Sequence, residues 1–153
     1  MSSPGATPGG GAATATAVQR PRPTPSPLTQ PFWEATGQHR FLLQHCNVCA
    51  TNIFYPRASC PSCGSTDLGW QDASGRATVH TFTIPRRPTH RAFAGAPPIV
   101  LAIVELAEGP RVTTNLVDCE PADVSVGMAV ELTWDETGDD GIALPLFRPA
   151  GAT

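Results

Sequence analysis

Along the C-terminal half of the chain, apolar and polar residues alternate. Val126, Met128, Val130, Leu132 and Trp134 fall on one parity and Ala129, Glu131 and Thr133 on the other, which predicts a strand with one buried face. Ile142, Leu144 and Leu146 repeat the pattern, and Pro145 confines that strand to an edge or an end of a sheet. Arg111 to Val117 predicts another strand, with Val112, Thr114 and Leu116 facing inward. Ile99 to Val104 is an unbroken apolar run and reads as a central strand covered on both faces. From Gly75 to Ile84 the apolar parity shifts between Val79 and Phe82, which predicts a bulge where the strand bends. Five strands between residues 73 and 150, with at most one helical turn at Pro121 to Val124, fit a small closed barrel of the OB type.

The first 27 residues follow a different rule. Pro4, Pro8, Pro21, Pro23, Pro25 and Pro27 alternate with glycine, alanine and threonine, and only Met1 and Val18 could be buried. Ordering a backbone costs about 1–2 kcal/mol per residue, which so few apolar side chains cannot offset, so residues 1–27 read as a disordered tail. The tail lacks a basic start followed by an apolar core, so it is no secretory signal. No later stretch approaches a membrane span, and the expected compartment is the cytoplasm. A short helix follows within residues 28–40: Thr29 as N-cap, Pro31 in the first turn and Gly37 closing it in a left-handed conformation. Its adjacent aromatics Phe32 and Trp33 either pack on the next domain or face a partner; packing is the safer reading, although interfaces favour such residues.

Residues 41–72 contain the most specific signal. Cys46 and Cys49 form one CxxC pair and Cys60 and Cys63 a second, with ten residues between Cys49 and Cys60. Two such pairs supply the four thiolates of a tetrahedral zinc site, because a CxxC turn points both sulfurs to one side. Gly64 after Cys63 allows the turn to continue with positive φ, whereas Ala50 stands at the equivalent place after Cys49. Short extended runs at Phe41 to Gln44, Ile53 to Tyr55 and Leu68 to Gln71 flank the knuckles and make this a zinc ribbon. With every position filled by protein there is no place for an activated water, so one Zn2+ per chain is expected to be structural. A ribbon this small has no adequate core without the metal or a neighbouring domain. An iron centre of rubredoxin type, which would absorb visible light, and two redox-active dithiols are the competing readings. His45 beside Cys46 reads as a surface or strand histidine.

Composition narrows the rest. A chain of 153 residues holds one ordinary domain or two very small ones. Its 10 basic residues are all arginine, against 13 acidic ones, for a formal charge of −3, so no global field attracts nucleic acid. A glycine-rich phosphate loop, a GxSxG elbow and an HExxH pair are all missing. Cys119 lies between Asp118 and Glu120, which raise rather than lower its pKa, and reads as a small buried residue rather than a nucleophile. Arg86, Arg87, His90 and Arg91 cluster in a proline-rich loop between the first two barrel strands, where OB barrels commonly take ligands. They are candidates for contact with a phosphate-bearing ligand or a partner; a simply solvated loop is the equal alternative.

The run Pro31-Phe32-Trp33-Glu34, the two CxxC knuckles, Phe54-Tyr55-Pro56-Arg57, Ser74 to Val79, Phe93-Ala94-Gly95 and Asn115-Leu116-Val117-Asp118-Cys119 together resemble the DUF35 family. The resemblance covers about residues 28–150. It implies a rubredoxin-like zinc ribbon joined to an OB fold, in a noncatalytic accessory subunit of thiolase-superfamily acyl-CoA enzymes, including aldolases that cleave steroid side-chain thioesters. The implied partners are a thiolase-like or aldolase protein and, through fusions in the family, a MaoC-like enoyl-CoA hydratase. The partner would carry the catalytic residues, while this chain stabilises it and helps hold acyl-CoA, with Phe32, Trp33, Arg86, Arg87, His90 and Arg91 as the contact candidates. Two other classes remain: a single-stranded nucleic-acid-binding OB protein, which needs a basic groove with stacking aromatics, and a free-standing acyl-CoA enzyme.

Overall fold

A computed structural model of the chain describes residues 21–87, 91–93, 98–136 and 138–151. The helix α1 (Gln30–Thr36) has Thr29 at its N-cap position, as expected, with no side-chain bond into the helix. The Ser26 amide donates to Thr29 Oγ1 at 3.0 Å, the Thr29 amide donates to Ser26 Oγ at 3.3 Å, and Ser26 O accepts the amides of Thr29 and Gln30. The Thr29 dihedrals are helical, and its side chain and amide turn back to Ser26 rather than capping the helix, while the Ser26 carbonyl takes the first helical amide. Pro31 sits in the first turn as expected. Gly37 does not adopt the left-handed conformation: its φ is −62°, and the chain reverses at His39 with φ 56°. The glycine answers a need for space instead, since a Cβ at position 37 would run into the Gly141 carbonyl.

Order also begins before Leu28. Residues 21–27, assigned to the tail on composition, approach the barrel through Arg22, whose guanidinium holds Asp140 through Nε at 3.0 Å and Nη2 at 2.7 Å. The remainder of the proposed tail lies outside the described residues.

The ribbon is a three-stranded antiparallel sheet of β1 (Leu42–Cys46), β2 (Asn52–Ile53) and β3 (Leu68–Asp72), ordered β2-β1-β3. β1 pairs along its whole length with β3, from Leu42 opposite Asp72 to Cys46 opposite Leu68. Arg40 and Asp72 close the open end with a bidentate ion pair.

Five strands form a closed barrel: β4 (Arg76–Thr83), β5 (Val100–Leu106), β6 (Arg111–Leu116), β7 (Ala129–Asp135) and β8 (Leu144–Pro149), in the order β4-β5-β6-β8-β7. All pairings are antiparallel except β6 with β8, which meet in parallel at Leu116 and Phe147. The expected bulge lies in β4, where the register against β5 shifts between Val79 and Thr81. Val112, Thr114 and Leu116 face inward on β6. Among the described residues, the short helical turns between barrel strands are Arg91–Phe93 and Pro121–Asp123.

Three strand readings need correction. β5 is not covered on both faces: Val100, Ala102, Val104 and Leu106 are buried, while Leu101 is 39% exposed and Ile103 half-buried. A closed barrel has a single interior, so an unbroken apolar run still sends alternate residues outward. In β8 the inward residue is Phe147, 0% exposed, with Leu144 and Leu146 half-buried and Ile142 buried ahead of the strand. β8 is no edge either, since it pairs on both sides; Pro145 sits near its start, where only its amide would have been lost to the ladder. Val126 is 66% exposed, in the turn before β7.

One core joins these parts. Phe32 and Ala35 from α1, Phe41, Leu42 and Leu43 from the ribbon, and the barrel interior form one buried cluster. A second, small cluster of Cys46, Ile53 and Cys60, with Leu68 against it, sits at the far end of the ribbon.

Candidate metal centre

The two knuckles are built alike. In the first, Ala50 N donates to Cys46 O at 2.9 Å and Cys46 N to Thr51 O at 3.0 Å; in the second, Gly64 N donates to Cys60 O at 2.9 Å and Cys60 N to Ser65 O at 2.8 Å. The residue after each second cysteine is left-handed, with φ 58° at Ala50 and 76° at Gly64. Alanine thus takes the conformation that glycine adopts freely, at a cost of about 1–2 kcal/mol.

The sulfurs converge. All four ligand atoms lie within 4.8 Å of one another. Across the knuckles, Cys46 Sγ is 3.6 Å from Cys63 Sγ and Cys49 Sγ is 3.5 Å from Cys60 Sγ. Tetrahedral zinc with bonds of about 2.3 Å places its sulfurs about 3.8 Å apart, so the donor set and its spacing fit one such ion. Cys46 and Cys60 are buried, and Cys49 and Cys63 exposed. The Ser62 amide donates to Cys60 Sγ at 3.4 Å, and Thr51 Oγ1 lies 3.2 Å from Cys49 Sγ. The Thr51 hydroxyl and then its amide lower the Cys49 thiol to about 6. At Cys63 the Ser65 amide favours the thiolate, but Cys49, burial and the other two cysteines push the group up to about 12. Four protein thiolates leave no open coordination position for substrate.

Polar side chains that sequence reasoning did not single out fix the ribbon. Gln44, 5% exposed, accepts the Arg57 amide at 2.6 Å and donates to the Arg57 carbonyl at 3.1 Å, bracing the segment between the knuckles. A glutamine directly after the apolar run Phe41-Leu42-Leu43 is the available signal, because a buried amide must find partners. His45 donates from Nδ1 to Asn52 Oδ1 at 2.9 Å and stands outside the sulfur cluster. Asn52 also accepts from Gln71 Nε2 at 2.6 Å and donates to the Glu108 carbonyl at 3.1 Å. Glu108 Oε1 in turn accepts the Ser74 amide at 2.7 Å. This chain of bonds ties the ribbon to the turn between β5 and β6.

The other candidates are dispersed. Phe32 is 2% exposed and lies edge-on to Trp33, Phe41 and Phe54, with ring centroids at 4.8, 5.4 and 5.6 Å. It packs the core, while Trp33 is half-buried beside it. Arg86 and Arg87 are exposed and make no ion pair among the described residues. Arg91 opens the turn Arg91–Phe93, and His90 lies outside the described residues. Burial, then Asp118, Glu120 and Asp123, push the Cys119 thiol up, the direction expected from its acidic neighbours.

Fold and site together define a zinc-ribbon protein with an OB barrel. A family model described as a ChsH2 rubredoxin-like zinc ribbon domain matches residues 33–69, and one described as a ChsH2 C-terminal OB-fold domain matches residues 70–135. The chain is 39% identical over 101 residues to a DUF35 domain-containing scaffold protein of Methanocaldococcus jannaschii, spanning 63% of this chain and 71% of that one. It is similar to the solved structure of an Ltp2-ChsH2(DUF35) aldolase, with TM-score 0.75 and 39% identity over 84% of this chain and 99% of the matched chain. It is 42% identical over 120 residues to a probable enoyl-CoA hydratase alpha subunit of Thermomonospora curvata; the match takes in 78% of this chain but 37% of that longer protein. The chain belongs to the DUF35 family.

Proposed function

We propose that this protein is a noncatalytic scaffold subunit of a thiolase-superfamily enzyme acting on acyl-CoA, an aldolase of the retro-aldol type being the foremost partner. The observation that carries this reading is the likeness, at TM-score 0.75 and 39% identity, to the chain of an Ltp2-ChsH2(DUF35) aldolase. The site chemistry supports it. Four thiolates would hold a zinc ion whose part is to fold the ribbon, and the surrounding residues position rather than react. Gln44 holds the inter-knuckle segment, and Asn52 and Glu108 fix the ribbon on the barrel, so the chain offers a partner a rigid body. The partner supplies the nucleophile and the acid–base groups.

A second reading, a subunit beside an enoyl-CoA hydratase of MaoC-like type, draws on the 42% identity to part of a hydratase alpha subunit. The nucleic-acid reading loses support at the barrel wall. The residues sent outward by β5 and β6 include Leu101, Ile103, Thr113 and Asn115, and Arg111 there is paired with Glu105 at 2.9 Å. Single-strand binders set stacking aromatics and unpaired cations on such a face. Co-expression with a thiolase-like aldolase and, separately, with a hydratase, followed by size-exclusion chromatography, tests the proposal. Co-elution with the aldolase is expected; co-elution with the hydratase alone transfers the assignment to the second reading, and co-elution with neither rejects both.

A further inference from the structure

The loop between β7 and β8 is held from three directions by residues that precede the ribbon. Arg22 makes a bidentate pair with Asp140, and its Nη2 also donates to the Ile142 carbonyl at 2.5 Å. Asp140 Oδ1 accepts the Ile142 amide at 3.1 Å, so the loop is already folded around the carboxylate that receives the arginine. Gly37 lies so close to the Gly141 carbonyl that no side chain fits between them. His39 pairs with Glu136 and lies flat against Trp134, with ring centroids 5.4 Å apart and planes 12° from parallel.

Gly138 adds an independent observation. Its φ is not in the left-handed region, so backbone conformation does not demand glycine there; a Cβ would instead overlap the Arg22 guanidinium. The loop passes directly beneath the arginine, and a missing side chain makes the room. Asp140 first, and Asp135 after it, favour the guanidinium in its charged form, while its Nη1 is buried without a hydrogen-bond partner. Arg22, Gly138 and Asp140 all lie outside the stretches that the two family models match, 33–69 and 70–135.

We infer that residues 22 to 39 form an intramolecular clasp that locks the β7–β8 loop, and so takes out of use one of the two loops through which OB barrels receive ligands. An OB barrel binds along its second and third strands, between the loop joining strands one and two and the loop joining strands four and five. In this chain the latter is the β7–β8 loop, and its carboxylates Asp140 and Glu136 are engaged by the chain's own Arg22 and His39. The loop is a fixed surface, and any ligand or partner that used it would first have to displace Arg22.

Hydrogen–deuterium exchange on the full zinc-loaded chain tests the clasp. Arg22→Ala and Gly138→Ala should each speed exchange of amides 138–142 by about threefold to tenfold, the range for losing a partly exposed bidentate ion pair. The far end of a flexible arginine can move aside, so Gly138→Ala evicts Arg22 and the barrel stays folded. The double variant should therefore exchange no faster than Arg22→Ala alone. Asp140→Asn supplies a third route to the same opening. Unchanged exchange in Arg22→Ala and Asp140→Asn, or multiplying effects in the double variant, would overturn the inference.

Discussion

In the barrel, Val79, Val100, Ala102, Val104, Val112, Leu116, Val130 and Phe147 are each at most 4% exposed and enclose one another; at the far end of the ribbon the buried set is Cys46, Ile53 and Cys60. The first region holds itself by removing apolar surface from water, at about 25 cal/mol per Å². The second has too few carbon atoms for that, and the ligands themselves are its core. The same chain therefore carries two kinds of folding code. A substitution of one methylene in the barrel is felt gradually, whereas a ligand lost from the ribbon removes its organising centre.

The largest break in this comparison comes at the ligands. Cys60→Ser should lose the metal and with it most of a binding free energy of about 10–16 kcal/mol. Exchange protection should vanish across residues 46–68 yet persist in β4–β8, as read by amide exchange and metal analysis. Phe147→Ala is the counterpart in the barrel. At 0% exposure it should cost about 3–5 kcal/mol in denaturant unfolding, with metal content unchanged. Gly37→Ala probes the seam between the helix and the β7–β8 loop. The obstacle there is the backbone of Gly141, which cannot swing away, and a loss of about 1–3 kcal/mol is expected.

Two smaller effects sharpen the contrast. Ala50→Gly should stabilise the metal-loaded ribbon by about 1 kcal/mol by relieving the left-handed alanine, seen as slower metal transfer to a chelator. It would make the first knuckle the equal of the second. The smallest effect is that of acid. Arg22 holds the Asp140 carboxyl down to about 2 from its ordinary 3.8. A depressed carboxyl contributes stability that is present above the ordinary value and lost as pH falls through the lowered one, so the clasp should loosen between about pH 4 and pH 2. Protection of the β7–β8 loop, taken relative to the intrinsic exchange rate at each pH, should fall over that window in the native chain and stay constant in Asp140→Asn.

Legibility follows the same division. The sulfur cluster could be read from two CxxC pairs, because metal ligation imposes a local spacing. The barrel could be read from strand parity and from the break near Val79, since alternate residues of any barrel strand face one interior. Phe147 is not legible in the sequence because Ile142, buried in the loop, extends the parity of Leu144 and Leu146, which lie half-covered on the other side of β8. Gly37 provides room and not a left-handed turn, and the close approach of Gly141 that requires it leaves no trace in the helix sequence. Arg22 was unreadable for a similar reason: its partner Asp140 lies 118 positions away. Local patterns report what the backbone does nearby, and contacts across the chain report themselves only in three dimensions.

The central claim, that this chain is a scaffold and its partner the catalyst, is tested most directly by following acyl-CoA thioester turnover with the purified zinc-loaded chain, with the partner enzyme alone, and with the two combined. No turnover by the chain alone and full turnover by the pair are the predicted results. Turnover by this chain in the absence of any partner would contradict the account.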